Sequence, residues 1–158
     1  MKKRQSIASI ITIFAILFSN QANAQSVRKF GIGLNGGRAT EKSTGLAFGI
    51  DLRYQFPINK DLALPLTIGY TSFGENALSY FPIKVGLKYS SSGTGIGIYG
   101  LAEIGVASSV ETPIGLNSSF LYAPSIGYSM GNGLDLALKY EVVSSRDSYV
   151  GLRLGYNF

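Results

Sequence analysis

From Gln25 onward the chain alternates large apolar residues with small or polar ones, and turn-forming residues interrupt the alternation at nearly regular intervals. Eight segments follow this period of two: 28–35, 45–56, 62–72, 78–90, 95–107, 119–130, 133–143 and 148–158. The connections after the second, fourth and sixth segments are tight, at 57–60, 91–94 and 131–132. Those after the odd segments are longer and more polar, at 36–44, 73–77, 108–118 and 144–147. Short turns at one end and longer loops at the other predict an all-β, eight-stranded, antiparallel up-and-down barrel that crosses a membrane. Nothing in the sequence has the period of a helix.

The two faces of each segment differ sharply. In the last one Val150, Leu152, Leu154, Tyr156 and Phe158 share one face, opposite Tyr149, Gly151, Arg153, Gly155 and Asn157. The second sets Leu46, Phe48, Ile50, Leu52, Tyr54 and Phe56 against Ala47, Gly49, Asp51, Arg53 and Gln55. A soluble barrel would turn the bulky face inward, but eight such faces overfill an interior this narrow. The small-residue faces suit a cramped lumen, so the apolar faces are expected to point into lipid. Strands of about ten residues, rising ~3.3 Å each at a tilt of ~40°, span an apolar band of ~25 Å. Aromatic residues mark both of its edges: Tyr54, Phe56, Tyr89, Tyr128, Tyr156 and Phe158 at the turn end, and Tyr70, Phe81, Phe120, Tyr122 and Tyr140 at the loop end. Pro65, Pro82 and Pro124 lie inside segments of a sheet without edges, which predicts bulges or shortened strands there.

Composition narrows the chemistry. Charged residues make up 15% of the 158-residue chain, below the ~25% of soluble domains, so an exposed surface would be short of charge. The absence of Cys and His removes disulfides, thiolate metal sites and the commonest general base. Met1-Lys2-Lys3-Arg4, an apolar run over 7–18 and Ala22-Asn23-Ala24 have the three-part plan of a secretory signal. Its apolar core is shorter than the ~20 residues a membrane helix needs. Cleavage is expected after Ala24, which makes residues 1–24 a signal peptide and 25–158 the barrel domain. Without Lys2, Lys3 and Arg4 the formal charge of +5 falls to +2, so no nucleic-acid partner is expected.

The signal, the eight alternating segments and the terminal run Tyr149-Val150-Gly151-Leu152-Arg153-Leu154-Gly155-Tyr156-Asn157-Phe158 resemble small outer-membrane barrels of the OmpA/OmpX type. That resemblance implies a cell outer-membrane location and contact with the lipid bilayer. It also implies that Leu152, Leu154, Tyr156 and Phe158 form the signal read by the barrel-assembly machinery. The loops are short for the class, which weakens transfer of an adhesin or receptor role. The lipases, acyltransferases and proteases of this fold class rely on a histidine, so their chemistry is not implied here.

The inward faces carry Lys29, Asp51, Arg53, Lys84, Lys88, Glu103, Asp135, Lys139, Glu141 and Arg153. Charges crowded into a low dielectric must be paired or hydrated, which predicts an ion-pair network filling the lumen. Hairpin register puts Lys29 near Asp51, Lys84 diagonal to Glu103, and Arg153 beside Lys139 and Glu141. The string from Gly31 to Gly36 matches G-x-G-x-x-G, but no helix follows it, so no dinucleotide site is expected. The expectation is a monomeric, non-enzymatic structural or surface protein with no cofactor or metal, whose loops at 38–44 and 110–117 face outside. Three readings compete with it: a narrow small-solute channel, a loop-mediated binder, and an exported lipocalin-like soluble barrel.

Overall fold

The computed structural model describes residues 30–40, 45–74, 79–109, 118–144 and 148–158. The expected signal peptide, Lys29 and most of the residues in the loops at 38–44 and 110–117 lie outside the described residues. Eight strands form one sheet: β1 Phe30–Ala39, β2 Leu46–Pro57, β3 Leu62–Phe73, β4 Ser79–Ser90, β5 Gly97–Ser109, β6 Ser118–Ser129, β7 Leu134–Val143 and β8 Tyr149–Asn157. Each pairs antiparallel with its sequence neighbours, and β1 closes on β8. The result is the up-and-down barrel that the alternation predicts.

Bulky apolar side chains cover the outside. Leu34, Phe48, Ile68, Leu87, Ile104, Ile126, Leu138 and Leu152 are exposed, whereas Asp51, Arg53, Lys84, Glu103, Asp135, Glu141 and Arg153 are buried around the axis. Both expected aromatic belts face outward. At the turn end Phe158 packs on Phe30 and Tyr156, with ring centroids 5.9 and 5.1 Å apart. Toward the loop end Tyr70 packs on Phe81 at 5.3 Å.

The tight connections are built by side-chain capping and by glycine. Asn59 Oδ1 accepts the backbone N–H of Asp61 and of Leu62 at 2.9 and 2.8 Å, which turns the chain between β2 and β3. Between β6 and β7, Asn132 Oδ1 accepts the Leu134 N–H, and Gly133 takes a φ of 100° that a side chain would oppose.

Two expectations need correction. First, β1 continues through Gly36 and Gly37 to Ala39, where the composition suggested a loop. These glycines are extended, and a Cβ on Gly37 would come 2.7 Å from the Gly151 Cα, so glycine serves close strand approach rather than a turn. Second, the prolines produce neither bulges nor short strands. Pro65 pairs with Gln55 on β2, but the β3–β4 pairing skips it. Pro82 pairs with Ala107 on β5 while the same β3–β4 seam lapses opposite Gly69, and Pro124 pairs with Ala102 while the β6–β7 seam lapses opposite Tyr140. Register is identical on either side of each gap. A ring lacking N–H therefore costs local hydrogen bonds on one flank, and the other flank and the neighbouring pairs hold the strand in place.

Candidate functional site

The lumen concentrates the chemistry. Period-two alternation sends every second residue inward, and the closed sheet gathers these residues around one axis between the turn end and the loop end.

At mid-height Glu103 on β5 meets two cations. Arg53 Nη2 on β2 is 3.4 Å from Glu103 Oε2, and Lys84 Nζ on β4 is 3.8 Å from the same oxygen. Thr67 on β3 donates to Glu103 Oε1 at 2.6 Å and accepts from Arg53 Nε at 3.2 Å, so the hydroxyl ties both sides of the pair together. Lys84 also donates to Glu141 Oε2 at 2.7 Å, and Lys139 donates to that oxygen at 3.1 Å. The other oxygen of Glu141 accepts the Tyr80 hydroxyl at 2.7 Å.

A second group centres on Arg153 of β8. Its Nη2 donates to Asp51 Oδ1 at 2.7 Å, its Nε donates to the same carboxylate, and its Nη1 donates to Asp135 Oδ1 at 3.1 Å. Asn35 Nδ2 donates to Asp51 Oδ2 at 2.7 Å. Ser129 and Tyr99 hydroxyls donate to the two oxygens of Asp135 at 2.6 and 2.8 Å. Lys88 completes the group: Nζ is 3.8 Å from Asp135 Oδ2, donates to Ser129 Oγ at 3.1 Å, and lies 3.9 Å above the Tyr99 ring.

Glycines make this packing possible. The Arg153 guanidinium crosses the inner wall over Gly33 and Gly155, and a Cβ on Gly33 would sit 2.6 Å from its Cζ. Gly33 faces Asp51 across β1–β2 and Gly155 across β1–β8, so the slot lies where the carboxylate waits.

The two ends of the lumen differ. Toward the loops, Phe73, Tyr80, Leu121, Val143 and Tyr149 pack with Ala47, Ala107 and Ala123 into an apolar cluster. Phe73 meets Tyr149 edge-on, with ring centroids 6.0 Å apart. At the turn end a recess of about 170 Å³ opens, its border including Gln55, Lys60, Lys88, Ile96, Met130 and Asn157.

Nine of the ten inward charges named from the sequence are described, and all nine take part in an ion pair; Lys29 lies outside the described residues. The Lys84–Glu103 diagonal is present. The expected placement of Arg153 beside Lys139 and Glu141 is not. Ala137 is its cross-strand partner, so Lys139, facing Gly151, lies only diagonal to Arg153, and Glu141, facing Tyr149, lies one step further away. The expected proximity of Lys29 to Asp51 lies outside the described residues; the described residue paired with Asp51 on β1 is Gly33. Sequence reasoning also passed over Tyr80, Tyr99, Thr67 and Ser129, which the network uses as neutral donors. Their inward parity was a usable signal. Leu152, Leu154, Tyr156 and Phe158 form an unbroken outward row at the end of β8. Among the described residues no group of three or more His, Cys, Asp or Glu could hold a metal ion.

No family model and no curated protein matches the sequence. Solved structures do match its fold. The N-terminal β-barrel domain of Pseudomonas aeruginosa OprF superposes with a TM-score of 0.61 at 15% identity, covering 85% of this chain and 100% of that one. Designed transmembrane β-barrels reach 0.60 at 14% identity over 86% and 100%. The outer-membrane enzyme PagL reaches 0.57 at 16% identity over 81% and 99%. The fold is that of the small outer-membrane β-barrels, as the resemblance to the OmpA/OmpX type implies. At these identities the likeness concerns architecture alone.

Proposed function

We propose that this protein is a small integral outer-membrane barrel with a structural or surface role and a lumen closed by its own side chains. The observation that carries the reading is the pairing of all nine described lumenal charges in two ion-pair groups, backed by the aromatic and aliphatic cluster at the loop end. An ion entering would have to displace charge-assisted hydrogen bonds between 2.6 and 3.1 Å and then pass an apolar constriction. The role is non-enzymatic: the chain has no histidine to activate a serine, and the inward carboxylates are held by cations and hydroxyl donors. The bilayer is its main partner, no nucleic acid is involved, and the barrel acts as a monomer. Export through a cleaved signal and recognition of Leu152, Leu154, Tyr156 and Phe158 by the barrel-assembly machinery complete the proposal. Deleting Phe158 therefore lowers the yield of folded barrel in outer membranes, measured by heat-modifiable gel mobility, while the purified variant still folds in detergent.

Planar-bilayer recording tests closure. The folded protein is expected to show no steady conductance, whereas the double substitution F73A/Y149A, which empties the loop-end cluster, raises current at high voltage. Regular open steps in the unaltered protein would favour the small-solute channel instead.

A further inference from the structure

The lipid-facing wall carries one ionised side chain among the described residues. Every other outward position on the eight strands is aliphatic, aromatic, glycine, alanine, proline or serine; Arg38, near the loop end of β1, is the exception. It is exposed, paired across the sheet with Leu46 and Val150, and forms no ion pair with any described residue. Taking Phe30 as the inner edge, eight residues at ~3.3 Å and a tilt of ~40° raise Arg38 by roughly 20 Å, just inside the top of an apolar band ~25 Å tall. A guanidinium at that depth reaches upward to the headgroups or draws an anion toward itself.

The wall immediately below it is notched. A Cβ on Gly36 would meet nothing within 4 Å, and its cross-strand neighbours Phe48 and Leu152 stand 58% and 61% exposed on either side. A channel one side chain wide, walled by Phe48 and Leu152 and headed by a cation, is shaped for an acyl chain joined to an anionic group. Arginine suits a phosphate in particular, because its planar fork donates two parallel hydrogen bonds.

We propose that Arg38 and the Gly36 notch form a binding site for a lipid of the loop-side leaflet whose phosphate headgroup carries a net negative charge, the phosphate on the guanidinium and one acyl chain between Phe48 and Leu152. The site rests on the membrane reading above, since a lipid can reach it only if this face meets the bilayer.

The test is electron paramagnetic resonance of the protein in phosphatidylcholine vesicles carrying trace spin-labelled phosphatidylglycerol or spin-labelled phosphatidylcholine. A membrane-surface cation contributes about 1 kcal/mol toward anionic lipid, so the phosphatidylglycerol label should be held about fivefold more than the phosphatidylcholine label. R38Q should abolish that preference, and G36L, which fills the notch, should reduce the held fraction. K60Q, which removes a turn-side cation, should leave both unchanged. An unaltered preference in R38Q, or an equal loss in K60Q, overturns the site. The E41Q variant guards against a protein anion: if R38Q and E41Q lower stability alike and neither alters lipid preference, a loop carboxylate holds Arg38 and the proposal falls. Heat-modifiable mobility separates the two levels of inference. Protein that never folds into vesicles defeats the membrane reading, whereas folded protein without lipid preference defeats the lipid site alone.

Discussion

Replacing Arg153 by methionine removes the cation that joins β8 to Asp51 and Asp135 while keeping an unbranched apolar stem. Four hydrogen bonds of 2.7–3.1 Å disappear: Nη2 to one oxygen of Asp51, Nε to both, and Nη1 to Asp135. Asp135 retains Ser129 and Tyr99 as donors and Lys88 at 3.8 Å, but among the described residues Asp51 keeps a close hydrogen bond only from Asn35. The loss thus falls mainly on Asp51, a carboxylate 6% exposed that is left without its paired cation. Breaking a buried pair in this way costs about 3–5 kcal/mol, a factor of more than ~100 in the folded-to-unfolded ratio. Urea titration of protein reconstituted in vesicles, followed by far-ultraviolet circular dichroism, measures it. The double variant R153M/D51N removes the orphaned charge as well, and should recover at least ~2 kcal/mol relative to R153M because no unpaired anion remains. A lysine at 153 should fall between methionine and arginine, since one ammonium cannot span both carboxylates through the slot over Gly33 and Gly155. If R153M lost less than ~1 kcal/mol, or if D51N gave no recovery, the lumenal pairs would not be dry, interdependent contacts.

Two further substitutions probe other parts of the same picture. L138R places a charge at an outward position 51% exposed near the middle of β7, and should destabilise by about 2–4 kcal/mol in vesicles; a negligible effect would mean that Leu138 meets water rather than hydrocarbon. Y80F deletes the 2.7 Å donor to Glu141 while preserving the ring in the loop-end cluster, and should cost about 1.5–3 kcal/mol by the same urea titration.

Much of this architecture is legible in one dimension because strand parity is a local property. The alternation near the end of β8 makes the point: with Leu152, Leu154 and Tyr156 on one side and Arg153 and Gly155 on the other, the outward and inward sets follow without any neighbour being known. Segment number, tight-turn ends and the reversal of the usual inside-out polarity follow from the same alternation, once the size of each face is weighed against the room in a narrow barrel. Gly36-Gly37 misled because glycine serves turns and close strand contact alike, and the two uses separate only when Val150 and Gly151 are seen pressed against Gly37. The prolines misled because the rule against central-strand proline assumes that both flanks are needed.

Pairing identities in the lumen required the closed sheet. Adjacent-strand reasoning reaches Lys84–Glu103, yet Arg53–Glu103 joins β2 to β5, Lys84–Glu141 and Lys88–Asp135 join β4 to β7, and Arg153–Asp51 joins β8 to β2. Such partners sit on strands that are not neighbours in the ring. Their meeting depends on how far each hairpin is staggered and on where β1 meets β8, and a shift of two residues leaves every face unchanged while exchanging every partner. Parity is written residue by residue along the chain, whereas stagger is settled by the whole ring closing at once.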